Sequence, residues 1–255
     1  MKFQIAIVLC LSLISVVFGK YGRIIGGQIA DIREYPYMAS FRFTVPNLTF
    51  CGGAIISHKH ILTAAHCLFR DERRFPSMRI YSGVSSTHSI TGPSYAIDHV
   101  IFHPSFTGVE TNDEMNHHDI CVVWIKGYIQ FNEFQNKVDL PIQDVHHLDT
   151  GDLAGWGMKS FPVETPPNQL QKIRVTIFHN DFCAHIIPGT LFSNQFCGLH
   201  SKGVGPCSGD SGSPLVSNGR VVGIVSITIP CAQGIPDLYT RVYSYVDFIR
   251  SAMSL

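Results

Sequence analysis

Apolar positions along this chain come in short runs. Residues 37–43 (Tyr-Met-Ala-Ser-Phe-Arg-Phe), 79–83 (Arg-Ile-Tyr-Ser-Gly), 172–177 (Lys-Ile-Arg-Val-Thr-Ile) and 220–225 (Arg-Val-Val-Gly-Ile-Val) are rich in β-branched and aromatic side chains, with Gly and Pro recurring between them. Runs of this length bounded by chain-breaking residues predict strands, and many of them at short spacing predict an all-β sandwich or barrel. One segment has another period. Val242, Tyr245, Val246, Phe248, Ile249 and Met253 recur every three or four residues, which predicts an amphipathic C-terminal helix. The polar stretch Gln130–Asn136 is a candidate link between two halves, and no repeat, heptad pattern or low-complexity tract is present.

The N-terminus carries a further apolar stretch of a different kind. Met1-Lys2 is a basic start, Ile5–Phe18 is mostly apolar, and Val17-Phe18-Gly19 suits a cleavage site. Residues 1–19 therefore read as a secretory signal peptide, and the stretch is shorter than the ~20 residues that span a bilayer. The mature protein is expected to be soluble and extracellular. Of the eight cysteines, Cys10 lies in this leader, so 8 − 1 = 7 remain. An odd number in a secreted chain permits at most three disulfides and leaves one thiol over. Cys121, inside the apolar run Ile120–Ile125, is the candidate for that thiol and reads as a buried core residue. Asn47-Leu48-Thr49 is a glycosylation sequon.

Charge narrows the partners. Nineteen basic residues balance nineteen acidic ones, so nothing in the net charge calls for nucleic acid or an anionic membrane as partner. With 45% hydrophobic and 15% charged residues over 255 positions, the chain has material for one large or two small packed units.

Three separated segments carry chemistry. A serine hydroxyl becomes a nucleophile when an imidazole takes its proton and a carboxylate holds that imidazole in the right tautomer. It also needs backbone N–H groups aimed at the developing oxyanion, hence a glycine-rich turn. Residues 205–215 (Gly-Pro-Cys-Ser-Gly-Asp-Ser-Gly-Ser-Pro-Leu) supply such a turn, Leu62-Thr63-Ala64-Ala65-His66-Cys67 supplies a histidine, and Asn116-His117-His118-Asp119-Ile120 supplies an aspartate. These segments, in the order His, Asp, Ser, resemble the chymotrypsin/trypsin family of serine proteases from Ile24 to the C-terminus, including its arthropod chymotrypsin-like and collagenolytic members.

The resemblance implies two packed six-stranded antiparallel β-barrels with a C-terminal helix, a boundary near residues 127–145 and one protease domain over 24–255. It implies that His66 is general base and acid, Asp119 its orienting carboxylate and Ser211 the nucleophile, with Gly209 and Ser211 giving the oxyanion N–H pair. Arg23 before Ile24-Ile25-Gly26-Gly27 resembles the family's activation site, with Lys20–Arg23 as a short activation peptide. The freed Ile24 ammonium would pair with Asp210, a carboxylate left unsatisfied in the uncleaved chain because an unpaired buried charge is expensive. Activity would then fall at high pH as that amine deprotonates. Also by resemblance, the disulfides are Cys51–Cys67, Cys183–Cys197 and Cys207–Cys231, leaving Cys121 over.

Departures from the family pattern concern specificity. Gly205 stands at the pocket base where trypsins carry aspartate, Asp237 stands where glycine is usual, and Ser226-Ile227-Thr228 replaces Ser-Trp-Gly. Asp237 would welcome a cation whereas Thr228 would obstruct a long side chain, and the balance points to a chymotrypsin- or elastase-like preference. Ser213 replaces a glycine outside the triad. Thirteen histidines, among them His58, His60, His117, His118, His146 and His147, raise the question of a metal, yet no HExxH or paired CxxC accompanies them. Asp71-Glu72 and Asp113-Glu114 lack an EF-hand loop. No metal and no cofactor are expected. The expected partners are protein or peptide substrates, an activating protease and protein inhibitors of a monomeric enzyme. Two alternatives stand beside this reading: a catalytically inactive homologue acting as a binding or venom protein, and a hydrolase of esters or lipids, against which the chain order argues.

Overall fold

A computed structural model describes residues 24–109, 111, 113–158, 168–228 and 231–255. The leader at 1–19 and the segment Lys20–Arg23 lie outside the described residues. The strands are β1 (Gln28–Ile29), β2 (Met38–Phe43), β3 (Leu48–Ile55), β4 (His60–Thr63), β5 (Met78–Ser82), β6 (Ser94–Phe102), β7 (Cys121–Lys126), β8 (Thr150–Gly155), β9 (Gln171–Phe178), β10 (Gln195–Leu199), β11 (Pro214–Ser217), β12 (Arg220–Ile227) and β13 (Asp237–Arg241). The four runs read from the sequence correspond to β2, β5, β9 and β12.

Alternation explains why they form sheets. In β9, Gln171, Ile173, Val175 and Ile177 are buried while Arg174 is exposed and Lys172, Thr176 and Phe178 are half-buried, the two-residue period of a strand with one wet face. Such sheets avoid open edges by closing. Strands β2-β3-β4-β7-β6-β5 close one barrel. Strands β8, β9, β10, β13, β12 and β11 form a second ring, joined by the β8–β9 and β8–β11 pairings, with β1 added outside on β9. Every strand pairing is antiparallel. Two six-stranded barrels result, and the chain crosses between them over residues 127–149.

The C-terminal period resolves into a 3-10 turn, Val242–Tyr245, and a short helix, here α2 (Val246–Ala252), which follows the four-residue α1 (Asn180–Cys183). Although α2 follows the second barrel, Tyr245, Ile249 and Ala252 join the buried cluster of the first, with Ile55, Leu62 and Val123. Full burial of a side chain such as Ile249 contributes roughly 1.5–3 kcal/mol. The Trp124 indole N–H of β7 donates to the Ala252 carbonyl at 2.9 Å. This packing ties the segment that follows the second barrel to the first. No helix among the described residues is long and apolar enough to cross a membrane.

Candidate active site

His66 and Asp119 of the first barrel are hydrogen-bonded to each other, and Ser211 of the second borders the same cleft as His66. His66 sits in the 3-10 turn Ala65–Cys67 just after β4, Asp119 two residues before β7, and Ser211 in the turn before β11. The Asp119 side chain is completely buried. Its Oδ1 accepts the His66 backbone N–H at 2.8 Å, and its Oδ2 lies 2.7 Å from His66 Nδ1. Two bonds to one residue fix both the position of the turn and the orientation of the ring. A third donor comes from the other barrel: Ser226 Oγ, on β12, lies 2.6 Å from the same Oδ2. The Asp119 carbonyl is also held, by the Thr240 hydroxyl at 2.9 Å.

Ser211 lines the same cleft as His66, a space of about 650 Å³ bordered also by Asn116, Gly209, Ile227 and Thr228. The Ser211 carbonyl accepts the Gly52 N–H at 2.8 Å, binding the nucleophile turn to β3. Gly212 permits this approach: it has φ +79°, and a Cβ there would lie 2.1 Å from Thr63 Oγ1. Around the turn, the amides of Asp210, Gly212 and Ser213 donate to Cys207, Val225 and Asp210 carbonyls. Those of Gly209 and Ser211 donate to nothing among the described residues, so two N–H groups flanking the serine remain available to an oxyanion.

A family model described as Trypsin matches residues 24–249. The chain belongs to the trypsin family. Among its relatives, Chymotrypsin-2 of Vespa crabro is 34% identical, over 89% of this chain and 98% of that one. Trypsin I-P1 of Gallus gallus is 32% identical, over 91% and 90%. Among solved structures, neuropsin, a serine protease expressed in the limbic system of mouse brain, superposes with a TM-score of 0.80 at 26% identity, covering 89% of this chain and 98% of that one. Proteolytic chemistry on protein substrates is therefore the family's setting for this cleft.

The remaining residues of this trypsin-family chain fall as follows. The disulfides Cys51–Cys67, Cys183–Cys197 and Cys207–Cys231 are present, and Cys121 is a buried free thiol whose pKa burial pushes well up. Asn47 is exposed. Ile24 is buried with φ +55°, and Ile25 pairs with Gly205 in an isolated bridge. Arg23 lies outside the described residues. Asp210 is completely buried, and its carboxylate accepts the Gly157 N–H at 2.7 Å and the Cys207 N–H at 3.0 Å. Two backbone amides therefore serve the carboxylate, whereas the partner expected from the resemblance is a cation. Burial still outweighs them and pushes its pKa up to about 7, and no cation pairs with it among the described residues. Gly157 is required there, since a Cβ would fall 2.1 Å from Asp210 Oδ2.

Of the specificity residues, Thr228 borders the cleft. Gly205 and Asp237 do not line it among the described residues: Gly205 is held by Ile25, and Asp237 is buried on β13 opposite Gly198. Of the histidines weighed as metal ligands, His146 and His147 are exposed, while His58 and His60 pack against aromatic rings. His58 stacks between Tyr128 and Phe131, and His60 meets Trp124 edge-on. The Cys51–His66–Cys67 grouping is close enough to hold an ion, but both sulfurs are in a disulfide and offer no thiolate. Sequence reading missed Ser226 as a donor to Asp119. Its signal was the serine opening the Ser-Ile-Thr wall, read there only for substrate access.

Proposed function

We propose that this chain is a secreted serine endopeptidase, made with a leader at 1–19 and an activation peptide at 20–23, and matured by cleavage after Arg23. In this reading Ser211 Oγ attacks the scissile carbonyl while His66 takes its proton and passes it to the leaving amine. The acyl-enzyme is then hydrolysed by a water that His66 deprotonates in turn. Asp119 orients the ring and stabilises the imidazolium, and the Gly209 and Ser211 amides receive the oxyanion.

The observation that carries the proposal is the hydrogen-bonded Asp119–His66 pair opening on the cleft that Ser211 borders, beside two uncommitted amides. The buried Ile24 and the Ile25–Gly205 bridge support the activation role, because the segment that would become the new N-terminus is held against the body of the protein. Once freed, the Ile24 ammonium would supply the cation that buried Asp210 lacks. A chymotrypsin- or elastase-like preference is supported by Thr228 on the cleft wall and by Gly205 in place of a carboxylate. The similarity to Chymotrypsin-2 of Vespa crabro favours the same reading.

The test uses the full chain cleaved at Arg23. A serine-directed phosphonate is expected to label Ser211, and a peptide panel varied only at the residue before the cut should favour apolar side chains. Absence of labelling would leave an inactive binding homologue as the better reading, and a dominant arginine preference would overturn the specificity.

A further inference from the structure

Three imidazoles and a phenyl ring form one continuous stack beside Asp119. Ring centroids are 4.5 Å apart for His103–His118, 3.7 Å for His118–His117 and 3.7 Å for His117–Phe192, with interplanar angles of 6°, 22° and 4°. Both barrels contribute: His103 follows β6, His117 and His118 precede β7, and Phe192 precedes β10.

Polar partners complete the stack. Asn194 Nδ2 lies 3.0 Å from His117 Nε2 and 3.4 Å from His118 Nδ1, and the Tyr245 hydroxyl lies 3.0 Å from His118 Nδ1. These bonds tether both rings to Asn194 and Tyr245. Burial disfavours the charged form of the imidazoles. It lowers the pKa of His103, His117 and His118, taking His118 to about 4 with its two neighbouring imidazoles adding to the effect. For His117, Asn194 and Glu114 oppose the shift without reversing it.

The segment so held is strained. Met115, Asn116 and His118 have φ of 40°, 51° and 61°, left-handed values that non-glycine residues keep only where surrounding contacts over-determine them. Gln195 of β10 supplies one such contact, its Nε2 donating to the Met115 carbonyl at 2.8 Å, and Asn194 and Tyr245 supply others. This loop ends in Asp119, and its Met115 and Asn116 border the cleft.

The geometry points to His117 and His118 as positioning residues: hydrogen-bonded to Asn194 and Tyr245 within the ring stack, they clamp the left-handed loop that aims the Asp119 carboxylate at His66. This rests on the catalytic reading of His66, Asp119 and Ser211. If the clamp loosens, Asp119 stabilises the His66 imidazolium less well, and both the rate and the His66 pKa fall.

Three variants of the matured enzyme separate this role from simple packing. His118→Phe keeps a ring in the stack but makes no hydrogen bond. His118→Asn keeps a hydrogen-bonding side chain and tolerates a left-handed backbone. Tyr245→Phe removes only the hydroxyl and carries the test should His118→Phe fail to fold. For His118→Phe, kcat should fall about tenfold and the acid limb of kcat/KM should move to lower pH by about half a unit. Tyr245→Phe should move the same way by less, and His118→Asn should restore the wild-type acid limb. Wild-type kinetics in His118→Phe and Tyr245→Phe would overturn the inference, as would His118→Asn being as impaired as His118→Phe. A matured wild-type enzyme that cleaves no peptide would instead overturn the catalytic reading beneath it.

Discussion

Ser226 and His66 approach the same oxygen of Asp119, at 2.6 and 2.7 Å, one from each barrel. The second barrel thereby helps to aim a pair that belongs to the first. Hydrogen bonds to charged groups contribute about 1.5–3 kcal/mol, so Ser226→Ala should lower kcat about 10- to 100-fold. KM should stay nearly unchanged, because Ser226 acts on the catalytic pair rather than on bound substrate. Steady-state kinetics of the matured enzyme measure both constants, and a change confined to KM would contradict the assignment.

Replacing Ser211 or His66 by alanine should each reduce kcat by on the order of 10⁶, and the double variant should be little worse than either, because nucleophile and base act as a unit. Single-turnover assays with an activated ester substrate can follow rates that low. Additive losses would mean that the two residues act separately.

Asp210 makes stability depend on pH before cleavage. Burial pushes its folded pKa up to about 7 from the ordinary carboxylate value of 3.8. Between those values the folded chain keeps a proton that the unfolded chain has released, so this group's contribution is present at low pH and is lost as pH rises towards 7. The uncleaved Ser211→Ala chain should therefore show a Tm component that declines from about pH 4 to about pH 7. The same variant cut after Arg23 should lose that decline, because the Ile24 ammonium then compensates the charge. Calorimetry of both forms across this range decides it.

Thr228 borders the cleft beside Ile227. Thr228→Gly should widen the opening and raise kcat/KM for large aromatic side chains relative to small aliphatic ones, by about tenfold if roughly 1.4 kcal/mol of steric conflict is relieved. Competition between Phe- and Val-containing peptides reads the ratio directly.

Much of this architecture was legible in the residues. The two-residue period of Lys172–Ile177 and the helical period after Val242 are local signals, and local signals survive folding. The motifs around His66, Asp119 and Ser211 were equally readable, since each is a short contiguous segment. What escaped depends on contacts between distant segments. Ser226 reaches Asp119 across 107 positions of sequence, and Tyr245 reaches His118 across 127. Nothing in either neighbourhood announces such a partner. The adjacent pair His117-His118 drew attention as a metal candidate, and only the rings of His103 and Phe192 above and below reveal it as a stack. The two amide bonds to Asp210 were not legible, because backbone N–H groups, unlike side chains, leave no trace in a sequence.

The anchoring of α2 on the first barrel has a consequence for cooperativity. Ile249 and the Ala252 carbonyl fasten the element that follows the second barrel to the first. Loosening that contact would weaken both halves at once, so the two barrels should melt in one transition rather than two.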